Sequence, residues 1–368
     1  MFNSLLLHRI VIYFFVLVLS ALILIFSYYS INELTYLYQQ NFSAKESQLN
    51  FLEAADVVTA KPDITLLFGG DVMLSRTVNA EMVAYNDYAW PLKLLAPTLE
   101  AADLSIINLE SPFLENANYQ VPSGSFSFRA NPLSLEALLV SGVDVVSLAN
   151  NHILNAGHKG IEDTIDLLTT NKIATVGAGL NEEAARAATL MTVNAWQIAF
   201  LAYAYPNDYS VATAERPGIA YMDHQNLAVD IKQVRDQADL VIVIMHAGEE
   251  YTTIPNTQQK RFAHEAIDLG ADVVIGHHPH WPQSWEIYKD KPIFYSLGNL
   301  VFDQMWSEQT RHGVLARLVF QEDLSGQAEL IPIIINDYGQ ADLWPQDKSE
   351  AQFWQLYDLD MPGEIIWP

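Results

Sequence analysis

Cysteine is absent from the 368 residues. That removes disulfides, thiolate nucleophiles, iron–sulfur clusters and Cys-rich zinc sites, and is compatible with any compartment. Positive charge is scarce: 19 Lys and Arg stand against 44 Asp and Glu, a formal net charge of -25. Nucleic acids and anionic lipid surfaces are bound through Lys and Arg that release counterions, so neither is an expected partner. A polyanionic ligand would need a local positive centre. Charged residues of both signs make up only 17%, against 50% hydrophobic, so the chain can bury a sizeable core and wholesale disorder is excluded. The sequence also lacks internal repeats and low-complexity tracts.

One long hydrophobic run is present. Residues 10–29, IVIYFFVLVLSALILIFSYY, carry no charge, and roughly 20 apolar residues are what a helix needs to cross a bilayer. His8 and Arg9 precede the run and Glu33 is the first charge after it. The bias of positive charge toward the cytoplasm leaves residues 1–9 inside and the bulk of the chain outside. The expectation is therefore a single-pass anchor in the cell (plasma or inner) membrane, a stalk over 30–61 and an extracytoplasmic domain. A cleaved signal peptide is the competing reading, but the run exceeds a usual signal core and no small-x-small site follows it directly.

From Ile64 onward apolar runs alternate with amphipathic ones: ITLLFGG, LSIIN, VDVVSLAN, KIATVGA, LVIVIMH and DVVIGHH are separated by helical patterns near Leu99, Leu133 to Val140, Ile161 to Thr170, Leu227 to Gln237 and Gln258 to Leu269. Strands apolar throughout imply burial on both faces, so the class is α/β. After His280 the runs WEIY, KPIFYSLGN, GVLARLVF and AELIPIII read as antiparallel strands closing or extending the sheet. The expected domain covers 62–335, with 336–368 as a C-terminal extension.

In open α/β sheets ligands bind outside the carboxyl ends of strands. Five strands here end in a ligand-type residue: Asp71 after ITLLFGG, Glu110 after LSIIN, Asn151 and His152 after VDVVSLAN, His246 after LVIVIM, and His277, His278 and His280 after DVVIG. Singly, Asp71 could cap a helix, Glu110 could be an exposed turn residue, the Asn-Asn-His tripeptide could be turn formers, and His246 could be a satisfied core histidine. Five strand ends together point to a metal site. Pro279 stiffens the turn that sets the imidazoles of GHHPH side by side, and imidazole with carboxylate oxygen suits manganese, zinc or iron better than magnesium or calcium. The sequence leaves open which metal, whether one or two ions bind, and which of the three histidines ligate. Such a site does hydrolase chemistry on a phosphoryl group. Arg76 and Arg129 are candidates to meet an anionic group, and Tyr295, Ser296 and Asn299 of YSLGN to line the cleft.

The motifs GGDVML, NLESPF, SLANNHILNAG, MHAGEEY, GADVVIGHHPH and YSLGNLVFDQ, in order from about Asp63 to His312, resemble the signature set of CapA-type poly-gamma-glutamate (capsule) synthesis proteins, which are similar to calcineurin-like metallophosphoesterases. The resemblance implies a four-layer α/β/β/α sandwich. It implies Asp71 on a first metal, Glu110 bridging, Asn151 and His246 on a second, His278 and His280 completing the shell, and His152 facing substrate as general acid or phosphoryl contact. It implies a role in making, releasing or exporting poly-gamma-glutamate or a related capsular polymer, with polymer synthase subunits and an anionic polymer or phosphoester as partners. The rival readings are a general extracytoplasmic metallophosphoesterase and a non-catalytic accessory subunit of a polymer synthase. The chain departs from the phosphoesterase pattern at Met73, where D-x-H has its histidine. It departs from the CapA pattern at Asn155, Ala247 and Leu300, where an acid, a Trp and a Phe are usual.

Overall fold

The computed structural model describes residues 60–115, 126–205, 210–360, 362 and 364–368, with positions 19, 20, 22, 24, 26, 28, 32 and 33. The expected anchor over 10–29 and stalk over 30–61 otherwise lie outside the described residues. Among the described residues no helix is long and apolar enough to cross a membrane. The chain divides into two units, Met1–Ala60 and Lys61–Pro368.

The strands of the second unit are β1 (Ile64–Val72), β2 (Leu104–Leu109), β3 (Val145–Ser147), β4 (Ala174–Val176), β5 (Ala178–Gly179), β6 (Thr189–Val193), β7 (Trp196–Ala204), β8 (Gly218–Ile219), β9 (Leu240–His246), β10 (Val273–His277), β11 (Trp285–Tyr288), β12 (Lys291–Phe294), β13 (Asn299–Val301), β14 (His312–Phe320), β15 (Gly326–Asn336), β16 (Gln340–Leu343) and β17 (Ile365–Trp367). Its helices are α1 (Arg76–Tyr85), α2 (Ala96–Leu99), α3 (Leu135–Val140), α4 (Gly157–Thr170), α5 (Glu182–Arg186), α6 (His224–Val234), α7 (Thr257–Asp268) and α8 (Glu350–Gln355). One mixed sheet runs β16-β15-β14-β1-β2-β3-β4, with β13 beside β1 and β17 beside β15; a second runs β11-β12-β10-β9-β7-β6. The segment 336–368 thus contributes β16 and β17 to the larger sheet.

Strand periodicity explains the packing. In β9, Leu240, Ile242 and Ile244 enter the same core as Leu66, Phe68 and Ile106 of the larger sheet, while Val241, Val243 and Met245 pack with Leu227 and Ile231 of α6 and Phe262 and Ala266 of α7. Successive side chains point to opposite faces, so the second sheet meets a sheet on one side and helices on the other. Val78 and Met82 of α1, Leu138 of α3 and Ile161 and Leu168 of α4 join the core of the larger sheet. Fully burying one such aliphatic side chain stabilises the fold by about 1.5–3 kcal/mol.

Two irregularities aim the functional residues. Phe68 pairs with Ile106 and Asp71 with Asn108, so Gly69 and Gly70 stand opposite Ile107 alone, a bulge that bends β1 and redirects Asp71. A Cβ on Gly70 would lie 2.0 Å from Gly298 O, which is why this position has no side chain. The second irregularity corrects the sequence reading. The first residues of KPIFYSLGN form β12, which pairs antiparallel with β11 as expected but also parallel with β10, while its last residue, Asn299, opens β13, which pairs parallel with β1. Gly298, at φ 71°, turns the chain between them, so the backbone leaves one sheet and enters the other. β11, β14 and β15 pair antiparallel as expected.

Candidate metal centre

The carboxyl ends of β1, β2, β9 and β10 converge. Among the described His, Asp and Glu side chains, Asp71, Glu110 and His246 form a group whose ligand atoms all lie within 4.8 Å of one another, each buried. His246 Nδ1 is 3.8 Å from Glu110 Oε1, and its Nε2 is 3.0 Å from Asn151 Oδ1. Sequence reasoning missed Asn108: its Nδ2 donates to Asp71 Oδ1 at 2.8 Å and to Glu110 Oε1 at 3.1 Å, and lies 3.2 Å from His246 Nδ1. The signal was present in LSIINLE, because residues two apart on a strand share a face and Asn108 precedes Glu110 by two.

The donor set fits a divalent transition metal. Two carboxylates and an imidazole are its usual ligand chemistry, and Glu110 Oε2 is buried without a hydrogen-bond partner among the described residues, an arrangement that costs free energy unless something occupies it. Burial works to raise the Asp71 carboxyl, yet His277 and His280 outweigh it and hold it well below its ordinary value. Glu110 goes the other way: burial, then the charge of Asp71, then that of Glu250 push it well above the usual range. Like charges this close do not both ionise without a cation between them.

The GHHPH loop borders this group. His278 and His280 have φ of 97° and 58°, a backbone region that costs a non-glycine residue about 1–3 kcal/mol. His280 Nδ1 lies 2.9 Å from Asn299 Oδ1 and 3.3 Å from Asp71 Oδ2. Asn299 Nδ2 donates to Thr310 O and Gln304 Oε1, which fixes the amide so that its oxygen meets His280. Asn299, fully buried, is thus placed to orient His280. The His278 ring centroid is 4.8 Å from that of His246, and burial, with His280 next, pushes it down to about 4. His277 Nδ1 is 3.4 Å from Asp71 Oδ1 but without hydrogen-bond geometry.

The remaining predicted residues lie around the group. The His152 ring lies tilted against that of Phe128, 3.9 Å between centroids; burial pushes the imidazole down to about 4 against a hydrogen bond with Asn155, while His280, His278 and Arg76 add to the fall. Arg76 is held by the buried carboxylate of Asp303 and lies 4.7 Å from the Phe128 ring. Arg129 forms no ion pair among the described residues, and its Nε is buried without a partner. Of the other cleft candidates, Tyr295 donates to Glu286 and Ser296 Oγ accepts from Gly298 N. Tyr251, also missed, stacks at 6.0 Å on His280 and at 4.8 Å edge-on with the exposed Trp306.

The sequence profile of a family described as bacterial capsule synthesis protein PGA_cap matches residues 65–304. The chain belongs to this PGA_cap family. All of Asp71, Asn108, Glu110, Asn151, His246 and the GHHPH loop fall inside the matched span. The chain is 34% identical to the capsule biosynthesis protein CapA of Bacillus anthracis, covering 74% of this chain and 68% of that one. It is 32% identical to the PGA biosynthesis protein CapA of Bacillus subtilis, covering 77% and 75%. A solved structure, a putative 5'-nucleotidase from Staphylococcus aureus in complex with alpha-ketoglutarate, gives a TM-score of 0.45 at 16% identity over 81% of this chain and 58% of that one; a likeness of that strength carries no argument about function. Two departures from the expected PGA_cap and phosphoesterase patterns have a visible structural outcome. The Met73 sulfur accepts from Ser75 N and Oγ, so it supplies no ligand. Asn155 Oδ1 accepts from Phe128 N at 2.8 Å and lies 3.2 Å from His152 Nδ1, keeping a contact to the imidazole without the charge of an acid.

Proposed function

We propose that this chain takes part in the synthesis or export of poly-gamma-glutamate or a related capsular polymer and that its centre is a metal-dependent, phosphoesterase-like hydrolase site. The observation that carries the reading is the buried group Asp71, Glu110 and His246 at strand ends inside the PGA_cap span. A divalent ion held there supplies Lewis-acid chemistry toward a phosphoryl oxygen. Asn151, His278 and His280 are proposed as further ligands. His152 is proposed to exchange a proton or hydrogen bond with the substrate, its ring fixed by Phe128 and Asn155. Arg129 and Arg76 are proposed to meet the anionic group, and Asn299 to act through His280. The fold reading extends to the four-layer α/β/β/α order, supported by the sheet-to-sheet core and the helices beyond it. Membrane anchoring through 10–29, with the domain outside, and contact with synthase subunits complete the proposal.

The test combines metal analysis with a screen of phosphomonoesters and phosphodiesters. Purified protein is expected to carry manganese, zinc or iron, and Asp71→Asn and His246→Ala to lose metal and turnover together, each by at least about tenfold. Wild type without transition metal would sink the reading. The second reading, a non-catalytic accessory subunit, is favoured by the diversion of Met73 to Ser75. Restoration of surface polymer in a deletion strain by both variants, as well as by wild type, would select it.

A further inference from the structure

The carboxamide of Asn108 lies where the ligand atoms meet, and its orientation can be decided from its neighbours. Asn150 Nδ2 donates to Leu109 O at 2.8 Å, and Asn150 Oδ1 accepts from His152 N at 3.1 Å. A carbonyl can only accept and an N–H can only donate, so Asn150 cannot be turned round. Its Nδ2 therefore faces Asn108 Oδ1, at 3.3 Å. Reversing Asn108 would set two NH2 groups against each other at that distance. Asn108 consequently presents its NH2 to Asp71 Oδ1, Glu110 Oε1 and His246 Nδ1. The two carboxyl oxygens accept its protons, with the His246 nitrogen alongside.

We infer that Asn108, locked by Asn150, is the positioning residue of the metal centre: a donor clamp that holds the Asp71 and Glu110 carboxylates side by side. The clamp also decides which oxygen of Glu110 stays available. Oε1 is engaged by Asn108, whereas Oε2 is buried without a partner among the described residues and is the atom left for a cation. A carboxylate pinned at one oxygen keeps its orientation without the reorganisation a free side chain undergoes on binding. The functional consequence rests on the metal reading proposed above. The donor role does not, because it exists in the metal-free protein.

The two are separated by one set of measurements on chelator-treated and Mn2+-titrated full-length protein. In metal-free protein Asn108→Ala is expected to lower Tm by about 5 °C, because it removes the donor shared by two buried carboxylates. Asn150→Ala is expected to lower it too, with the double variant no worse than the more damaging single, since both act through one amide. In Mn2+ titrations by calorimetry Asn108→Ala is expected to weaken binding by about 10- to 100-fold without abolishing it. If Asn108 instead turned its oxygen inward, truncation would relieve repulsion, and a metal-free Tm equal to or above wild type would overturn the inference. Additive losses for the pair would overturn the lock. Should Asn108→Ala fail to fold, the Asn108 side-chain amide protons of the wild type provide the check: strong protection from solvent exchange supports the clamp, and exchange at solvent rate refutes it. If wild type binds no Mn2+, zinc or iron while the metal-free losses persist, the metal reading fails and the clamp stands.

Discussion

His312 is a buried imidazole with no part in the proposed chemistry. It opens β14 edge-on to Trp344 at 5.1 Å and beside Phe353 at 5.9 Å, and its Nδ1 has no hydrogen-bond partner among the described residues. Burial pushes it down to about 4, with Arg311 and Lys348 adding to the fall. The folded value lies below the unfolded one, so the stability it contributes is complete above about 6.5 and is lost as pH falls toward about 4, by up to about 3 kcal/mol. His312→Gln is expected to flatten the fall in urea midpoint between pH 7.5 and pH 5. His152 and His278, also at about 4, leave part of that fall in place. An unchanged slope would remove His312 from the acid response. At this scale the sequence was informative wherever a polar residue ended an apolar run, as with Asp71, Glu110 and His246. Asp303 escaped because its role is set by a partner distant in the chain, and nothing local to a side chain reports who will face it.

Backbone closeness dominates among the elements. A Cβ on Gly276 of β10 would sit 1.9 Å from Tyr295 O, and one on Gly70 of β1 2.0 Å from Gly298 O. Both obstacles are backbone atoms, so no rotamer change relieves them. Gly70→Ala and Gly276→Ala are each expected to cost more than about 4 kcal/mol, read as a fall in Tm of at least 10 °C or as insoluble protein. Gly157→Ala is the control: φ is 70° but no described residue lies within 4 Å of the added carbon, so only the backbone strain of about 1–3 kcal/mol is expected. Equal losses for all three would mean that close approach is not the cause. The strands themselves were legible, since an unbroken apolar run between two helical patterns fits a strand buried on both faces and little else. Their partners were not. The composition of KPIFYSLGN is that of any strand, and whether a strand runs parallel or antiparallel to its neighbour depends on where the chain returns from.

Over the whole molecule charge sets the terms of association. A net charge of -25 repels a polyanion at long range, and Glu249 and Glu250 stand exposed directly after the His246 strand. If the proposed anionic polymer binds, raising salt from about 20 to about 200 mM is expected to tighten the complex by screening that repulsion. Binding through a basic surface would give the opposite slope. Calorimetry or fluorescence titration at the two ionic strengths reads the sign directly. The overall balance of charge was legible from the first line of sequence; how the carboxylates group in space was not.

The passage of the backbone from β12 to β13 has a mechanical consequence. Asp71 and Asn299 sit side by side on the larger sheet, His246 and His277 on the smaller, and Asn299 at the end of the connecting turn holds His280. A cation bound at this seam would rivet the two sheets together at the point where the turn from β12 to β13 already joins them. Heat or denaturant would then have to release both sheets in a single step, and a single cut in the stitch would cost the molecule its cooperativity before it cost either sheet its strands.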